Sequence, residues 1–278
     1  IRTIVLGTDE TFDNTNDNLH KCIINATMGG VYSNDVNRTV DIAVTNSLCD
    51  DLKFKDGGDI VPMPSTYYTL SSNKLVIPKG KIMGGVEVQL TDAFFADPLS
   101  LTNTYVIPLV MSNVQNADSI LSGKPNTENP NRCIATDWAV TPKDYILYAV
   151  KYINPWDAVY LRRGIDAITE GGSTSTVVRH KQSVINDEVY QINTLSLEKA
   201  GCTITANVAG ETRTCALVLN FTGNECTVTT TTEGCTVTGS GKYVEKGEKN
   251  SFNNKDRDAL YLDYKIDFGS TQIATKDT

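Results

Sequence analysis

The sequence predicts an all-β protein of two domains, and three observations support this prediction. The chain has 278 residues, which exceeds a typical domain of roughly 100 to 200 residues. Short apolar stretches of strand length recur along it, separated by turn signals at intervals of roughly 8 to 12 residues. Residues 92–99 have room for one helical turn at most, and the second half contains no credible helix. We therefore expect two β-domains, each with its own core.

In the first half, glycine and proline clusters such as Gly29-Gly30 and Pro78-Lys79-Gly80 separate the apolar stretches. Residues 1–18 are polar and fit a lead-in or a first edge strand. About seven strands in roughly 100 residues is the size of an immunoglobulin-like β-sandwich. We predict this fold for residues 1–122. The predicted strands cover residues 21–27, 39–45, 67–70, 74–77, 85–90 and 104–111.

Residues 122–132 read SGKPNTENPNR and contain no apolar residue other than proline. This composition predicts an exposed, semi-stiff linker. We place the linker at residues 123–132 and a second domain at residues 133–278.

Tight turns separate the strands of the second half, which favours antiparallel neighbours. A meander of eight or nine strands can close into a barrel, and an open sandwich is the alternative. The Gly239-Ser240-Gly241 run is interpreted as part of a hairpin. The predicted strands cover residues 144–153, 159–164, 175–180, 189–197, 202–208, 215–221, 226–232, 236–244 and 259–268.

Residues 144–164 contain four of the twelve tyrosines and one of the two tryptophans. A sugar ring is recognised by a flat aromatic side chain with polar side chains around it. In the alternative interpretation the aromatic rings plug the barrel end or pack between domains, and the arginines pair with acids. Tyr67 and Tyr68 form a second candidate patch. The candidate ligand-binding residues of the central stretch are Trp156, Tyr160, Asn154, Asp157, Arg162 and Arg163.

The seven cysteines include no Cys-x-x-Cys pair, which argues against a zinc ribbon or a thioredoxin-type site. Only two histidines, His20 and His180, are present, and they fall in different predicted domains. We therefore expect no metal site and no cofactor. Four cysteines are either small buried side chains or partners in one or two cross-strand disulfides. These four are Cys202, Cys215, Cys226 and Cys235.

The net charge of −8 makes nucleic acid or an anionic membrane surface an unfavourable partner. The longest apolar runs have strand length, far below the roughly 20 residues of a membrane-spanning helix. No acidic pair stands in a glycosidase-like motif, and we expect no enzymatic activity and no catalytic residues. The chain begins Ile1-Arg2-Thr3, without an initiator methionine or a secretion signal, and is expected to be processed or trimmed.

Several motifs resemble a known family. They are Leu75-Val-Ile-Pro-Lys-Gly80, Val86-Glu-Val-Gln-Leu90, Tyr105-Val-Ile-Pro-Leu109, Tyr152-Ile-Asn-Pro-Trp156 and Tyr160-Leu-Arg-Arg-Gly164. They are similar to two-domain surface lipoproteins of glycan-utilisation loci in Bacteroidetes. The resemblance implies an immunoglobulin-like N-terminal domain and a lipocalin-like (calycin-like) C-terminal barrel. It also implies a lipid-anchored N-terminal cysteine ahead of residue 1, attachment at the outer membrane, and capture of glycan for a surface transporter.

Three functions stay open at this point. A glycan-binding surface protein needs an exposed aromatic side chain with polar neighbours. A carrier of a lipid or other small apolar ligand needs an empty apolar cavity of roughly 300 Å³ or more. A structural or interaction module needs a sizeable exposed apolar patch.

Overall fold

The computed structural model describes residues 1–9 and 11–278, and most of these residues belong to β-strands or their connections. The prediction of an all-β protein is confirmed. The chain divides into two compact units, Ile1–Ile153 and Asn154–Thr278.

Nine strands of the first unit form one curled sheet, and two further strands form a separate pair. The connections between the strands contain two short α-helices, α1 (Thr15–Asn18) and α2 (Asp92–Ala96). They also contain 3-10 turns at Asn46–Cys49, Pro98–Leu101 and Ala135–Asp137. The strands in chain order are β1 (Arg2–Val5), β2 (Lys21–Thr27), β3 (Arg38–Val44), β4 (Val61–Pro62), β5 (Tyr68–Leu70), β6 (Lys74–Ile77), β7 (Met83–Leu90), β8 (Tyr105–Gln115), β9 (Lys124–Pro125), β10 (Trp138–Val140) and β11 (Tyr145–Ile153).

The main sheet runs in the order β1-β11-β8-β3-β6-β7-β2, with β4 added on β8 and β5 on β7, while β9 pairs with β10. β1 is parallel to β11, whereas β11 is antiparallel to β8. The core gathers aromatic rings from α2 and from β11. The phenol of Tyr152 packs 4.9 Å from the ring of Phe95 and donates a 2.9 Å hydrogen bond to the carbonyl oxygen of Phe95.

The predicted boundary between the domains is wrong. β11, which the prediction assigned to the second domain, pairs with β8 through Tyr145–Val110 and its neighbours and so completes the first sheet. The polar, proline-containing segment is an excursion within the first unit, because the chain returns to the sheet after it. Asp144, at the end of the excursion, is buried and accepts bonds of 3.2 and 2.9 Å from the guanidinium of Arg132. The polar residues and prolines of this segment correctly predicted that it is exposed. An exposed segment does not by itself mark a domain boundary.

The second unit is almost entirely strand, with 3-10 turns at Val184–Asn186 and Phe252–Asn254. Its strands are β12 (Ala158–Arg162), β13 (Gly164–Glu170), β14 (Ser173–Arg179), β15 (Glu188–Ser196), β16 (Lys199–Val208), β17 (Glu211–Thr222), β18 (Glu225–Thr230), β19 (Thr236–Glu248), β20 (Arg257–Asp267) and β21 (Thr271–Asp277).

From β15 to β21 each strand pairs antiparallel with the next, and the first strands of the unit complete the ring. β12 pairs with β15, while β13, which follows it in the chain after Arg163, pairs with β21. At the junction, Arg163 and Thr278 exchange two backbone hydrogen bonds of 2.9 and 2.8 Å. The continuous segment from β12 to β13 therefore pairs with β15 through β12 and with β21 through β13. This pairing closes the sheet into a barrel. The predicted antiparallel barrel is confirmed, although β13 and β21 were missing from the prediction.

Candidate functional site

Trp156 lies in the core of the barrel and is only 7% exposed. Its indole ring stacks on the ring of Phe221 from β17, with centroids 3.6 Å apart. The prediction of an exposed sugar-stacking surface is therefore wrong for Trp156. The alternative interpretation, in which the rings plug the barrel end or pack between domains, is closer to the structure in that Trp156 is buried, since stacking on Phe221 removes both rings from water.

Two polar neighbours of Trp156 hold the chain as it enters the barrel. The buried amide of Asn154 donates bonds of 3.0 and 2.8 Å to the carbonyl oxygens of Ser196 and Lys199, across the turn between β15 and β16. The Asp157 carboxylate accepts two 2.7 Å bonds from Thr194, one from its backbone N–H and one from its hydroxyl. Both side chains therefore satisfy buried polar groups of the fold and present little to a ligand.

Tyr160 and Arg163 are also occupied by contacts within the unit. The half-buried Tyr160 donates a 3.3 Å hydrogen bond from its hydroxyl to the carbonyl oxygen of Trp156, and burial raises the pKa of its phenol. Arg163 forms an ion pair with the buried carboxylate of Asp187. The six candidates of the central stretch are close in sequence, but they do not form one exposed site.

Arg162 points into the barrel and makes four polar contacts. Its guanidinium donates to Asp277 at 2.9 Å, to the hydroxyl of Tyr264 at 3.0 Å and to Glu188 at 3.5 Å. It also lies over the ring of Tyr190, 4.8 Å from the centroid. A cation held this way completes the core, because each of its partners is in place without a ligand.

A second arginine extends this interior network. Arg179, the last residue of β14, donates to both oxygens of Asp166 at 2.6 and 2.8 Å and to Asp277 at 2.6 Å. Burial alone would raise the pKa of Asp166, but hydrogen bonds from Arg179 and Thr275 and the nearby guanidinium charges lower it below its usual value. The network ties β13 and β14 to β21 inside the barrel.

The barrel interior leaves very little space. The cavity beside Arg162 has a volume of about 40 Å³ and is bounded largely by Tyr160, Tyr190 and Tyr264 together with aliphatic side chains. That volume suits about one water molecule. A carrier of an apolar ligand needs roughly 300 Å³, so this cavity is too small for the carrier hypothesis.

Tyr67 and Tyr68, the second candidate patch, do not form a shared surface. Tyr68 is buried on β5, whereas Tyr67 is half-buried and donates a 2.8 Å hydrogen bond to Asp97. The same carboxylate oxygen accepts a 2.5 Å bond from Tyr105. Hydrogen bonding to Tyr105, opposed by burial, lowers the pKa of Asp97, and the two phenols act mainly as partners of this carboxylate.

A depression with a volume of about 360 Å³ lies on the outer face of the barrel, across strands β18 to β21. We call it the outer groove. Side chains alternate along a strand, so Gly239 and Gly241 occupy inward positions of β19 and Ser240 between them points outward. Ser240 is therefore a small residue on the floor of the outer groove. The buried Leu262 and Asp277 also border the outer groove, and its exposed or half-buried side chains are Glu225, Ser240, Lys242, Tyr261, Asp263 and Lys276.

The charged residues of the outer groove balance each other. Lys242 pairs with Glu225 at 3.2 Å, and Lys276 pairs with Asp263 at 3.4 Å. Tyr261 is the direct cross-strand neighbour of Lys242.

The Tyr261 hydroxyl donates a 2.8 Å hydrogen bond to Glu248, which fixes the ring. This hydrogen bond, with a smaller effect of burial, raises the pKa of the phenol. The outer groove thus combines one fixed aromatic ring with carboxylate, ammonium and hydroxyl groups.

The sequence interpretation missed this groove. It placed Gly239-Ser240-Gly241 in a hairpin, within the predicted strand 236–244, which agrees with its position in β19, but it did not consider the outer face of that strand as a binding surface. The alternation of residues along β19 and β20 could have predicted this face, because it places four side chains on the outer side of the sheet: Ser240, Lys242, Tyr261 and Asp263.

Among residues 1–9 and 11–278, no group of three or more histidine, cysteine or acidic side chains is placed to hold a metal ion. In the same residues, no helix has both the length and the apolar character needed to cross a bilayer.

Comparison with known proteins places the chain in a family. A family model described as a domain of unknown function, DUF5627, matches residues 155–278, and an N-terminal-domain model matches residues 2–118. A structural-genomics protein of unknown function from Bacteroides ovatus, with a 2.40 Å crystal structure, is 50% identical over 99% of this chain and 89% of that chain, with a TM-score of 0.95. The chain belongs to the same family as that protein.

Two more distant structures from Bacteroides ovatus are also similar. One, of unknown function, is 12% identical over 93% of this chain and 86% of its own, with a TM-score of 0.46. The other, named as a candidate carbohydrate-binding protein, is 10% identical over 94% of this chain and 78% of its own, with a TM-score of 0.31. Neither likeness is close enough to carry an argument about function. No curated protein matches the chain.

Proposed function

We propose that this protein is a non-catalytic binding protein that takes up a neutral glycan in the outer groove. The observation that carries the proposal is the fixed ring of Tyr261 beside the paired charges of Lys242 and Glu225. A sugar ring has an apolar C–H face and a rim of hydroxyl groups. The aromatic ring suits the face, and charged or hydroxyl side chains suit the rim.

The balance of charge in the outer groove favours a neutral ligand over an anionic one. Two lysines face two exposed acids there, the third acid, Asp277, is buried and paired with arginines, and the chain as a whole carries a net charge of −8. An anionic polymer would meet uncompensated repulsion from the surrounding surface. The volume of about 360 Å³ lies at the lower end of the range of small-molecule sites and suits a short stretch of a glycan.

The experiment that tests this proposal blocks the outer groove. Ser240→Trp places a large side chain on its floor, and Thr238→Trp places the same side chain on the same face of β19, two residues away. In gels that contain a polysaccharide bound by the wild type, we expect the migration of the wild type and of Thr238→Trp to be retarded. The migration of Ser240→Trp should be unaffected. Retardation of both variants alike would reject the outer groove as the site.

The absence of catalysis is part of the proposal and has its own measurement. We expect a polysaccharide that retards the protein to show no new reducing ends after prolonged incubation with it. Steady release of reducing ends by wild type, lost in Ser240→Trp, would make the outer groove an active site instead.

We also propose that the protein is exported and lipid-anchored at the cell surface, where it delivers glycan to a transporter. The support is the family resemblance and the relationship to a Bacteroides ovatus protein. Proteinase treatment of intact cells that make the full-length protein should remove it, and lipid labelling should mark it. Protection from proteinase in intact cells would contradict this location.

One observation favours a second candidate function, an assembly module. Four exposed apolar side chains, which we call the apolar strip, lie on β12 to β15: Val159, Ile165, Val178 and Val189, which are 65, 50, 57 and 63% exposed. Ile165 and Val178 are direct cross-strand partners. If the strip joins two copies, sedimentation will show a dimer that Val178→Asp disperses, and a monomer at every concentration rejects this function.

A further inference from the structure

Two cysteines of the barrel are in direct contact. Cys215 lies on β17 and is fully buried, whereas Cys235 lies in the connection between β18 and β19 and is partly exposed. Their sulfur atoms are 2.7 Å apart. Among the described residues, no other pair of cysteine sulfurs shows such a contact.

The fold itself brings these two cysteines together. The pairing of β17 with β18 ends at Leu217 and Thr230, and the following residues, 231–235, turn back over the part of β17 that β18 no longer covers. Two threonine hydroxyls fasten this turn to the strand. Thr230 donates a 2.6 Å bond to the carbonyl oxygen of Ala216, and the Ala216 N–H donates a 2.9 Å bond to the hydroxyl of Thr232.

The fastened backbone flanks the cysteine pair directly, because Ala216 follows Cys215 and Thr232 precedes Cys235 by three residues. The Cys235 thiol also donates to the carbonyl oxygen of Thr232 at 3.6 Å. Two threonine hydroxyls, together with the backbone C=O and N–H of Ala216, therefore hold the backbone segments that carry the two cysteines close together.

We propose that Cys215 and Cys235 form an intramolecular disulfide when the protein reaches an oxidising compartment. The bridge closes the segment from β17 to the start of β19 and pins the threonine-rich turn against β17. It leaves five of the seven cysteines as thiols. The inference is independent of the glycan proposal, since none of the outer-groove side chains takes part.

The chemistry requires an external disulfide as the oxidant, either a small molecule or a protein. The partly exposed Cys235 loses its proton, attacks one sulfur of that disulfide and releases the first thiolate. Cys215 then loses its proton and attacks the Cys235 sulfur, which releases the second thiolate. Two protein thiols are oxidised and one external disulfide is reduced to two thiols, so atoms and electrons balance.

Burial raises the pKa of the Cys215 thiol to about 11, and its contact with Cys235 adds to this effect. A thiol of high pKa is mostly protonated at neutral pH and is also a poor leaving group. In the folded chain, we therefore expect the bridge to form slowly. Once formed, it should resist reduction until the barrel unfolds.

The test counts thiols by mass. Protein secreted into an oxidising compartment, or refolded with oxidised and reduced glutathione, is denatured without reductant and alkylated, and its intact mass is measured. We expect five alkyl groups before reduction and seven after it. Peptide mapping should find a linked pair of peptides that carry Cys215 and Cys235. Seven alkyl groups before reduction, or a bridge that maps to another pair, would overturn the proposal.

Variants make the assignment specific. Cys215→Ser and Cys235→Ser should each show six alkyl groups with or without reduction, whereas the matched control Cys226→Ser should show four before reduction and six after it. Cys226 is also buried in the barrel core. If a serine variant does not fold, the wild-type peptide map alone decides the result. Loss of the bridge with glycan retention unchanged would separate this inference from the proposed function.

Discussion

The indole ring of Trp156 lies parallel to the ring of Phe221, with 5° between the ring planes. We expect Trp156→Ala to lower the free energy of unfolding of the second unit by about 3 to 5 kcal/mol, because the substitution leaves a cavity in a packed core. Urea denaturation followed by circular dichroism measures the change.

Tyr32→Ala provides the control for this substitution. Tyr32 is fully exposed, so its truncation should change the free energy of unfolding by less than about 0.5 kcal/mol. An unfolding midpoint for Trp156→Ala equal to that of Tyr32→Ala would show that the stacked pair does not stabilise the barrel.

The interior arginine network should stabilise the barrel through Arg179. Arg179→Met leaves the half-buried carboxylate of Asp166 without its arginine and removes one of the two arginines that pair with the buried Asp277, and we expect a loss of about 3 to 5 kcal/mol. Lys276→Met removes a lysine whose side chain is 79% exposed and paired with Asp263, and should cost at most about 1 kcal/mol. Equal urea midpoints for the two variants would contradict a structural role for the network.

The same network predicts how stability depends on pH. The pKa of Asp166 is lower in the folded chain than in the unfolded chain, so the unfolded chain binds the proton more readily. The contribution of Asp166 is fully present above the unfolded pKa of about 3.9 and is lost as the pH falls through the folded pKa. Urea midpoints between pH 6 and pH 3 should therefore fall less steeply for Asp166→Asn than for wild type. The control Asp263→Asn, which changes an exposed acid, should keep the wild-type slope, and parallel curves for all three proteins would exclude Asp166 as a contributor.

The packed interior predicts that the barrel does not carry an apolar ligand. With a cavity of about 40 Å³, titration with a fluorescent fatty acid should show no saturable binding at one site per chain. Saturable one-to-one binding, weakened by Ile204→Trp at the cavity wall, would revive the carrier hypothesis.

Much of the fold follows from alternating apolar residues. The predicted strands 21–27 and 74–77 coincide with β2 and β6, because their inward positions are apolar and their ends are marked by turns. β13 and β21 escaped the prediction because Asp166, Thr275 and Asp277 occupy inward positions there. Arg162 and Arg179, from other strands, pair with the two carboxylates, and Thr275 donates a hydrogen bond to Asp166. A one-strand pattern cannot show partners that the barrel brings together from distant parts of the chain.

The candidate site shows the same limit more clearly. Residue types around Trp156 match those of a sugar site, but the ring faces inward because Phe221, 65 positions later in the chain, provides a surface for it. The outer groove consists of side chains from four strands, each unremarkable in its own segment. Only the register of β19 with β20 places Lys242 beside Tyr261 and Ser240 beside Asp263.

The most direct test of glycan binding in the outer groove substitutes Tyr261. Affinity electrophoresis over a panel of neutral polysaccharides would compare wild type with Tyr261→Ala, with Tyr261→Phe and with the exposed-tyrosine control Tyr32→Ala. We expect Tyr261→Ala to lose retardation at least tenfold, Tyr261→Phe to keep most of it because the ring remains, and Tyr32→Ala to match wild type. Retardation of Tyr261→Ala equal to that of wild type, or no retardation of wild type by any polysaccharide, would contradict a glycan site in the outer groove.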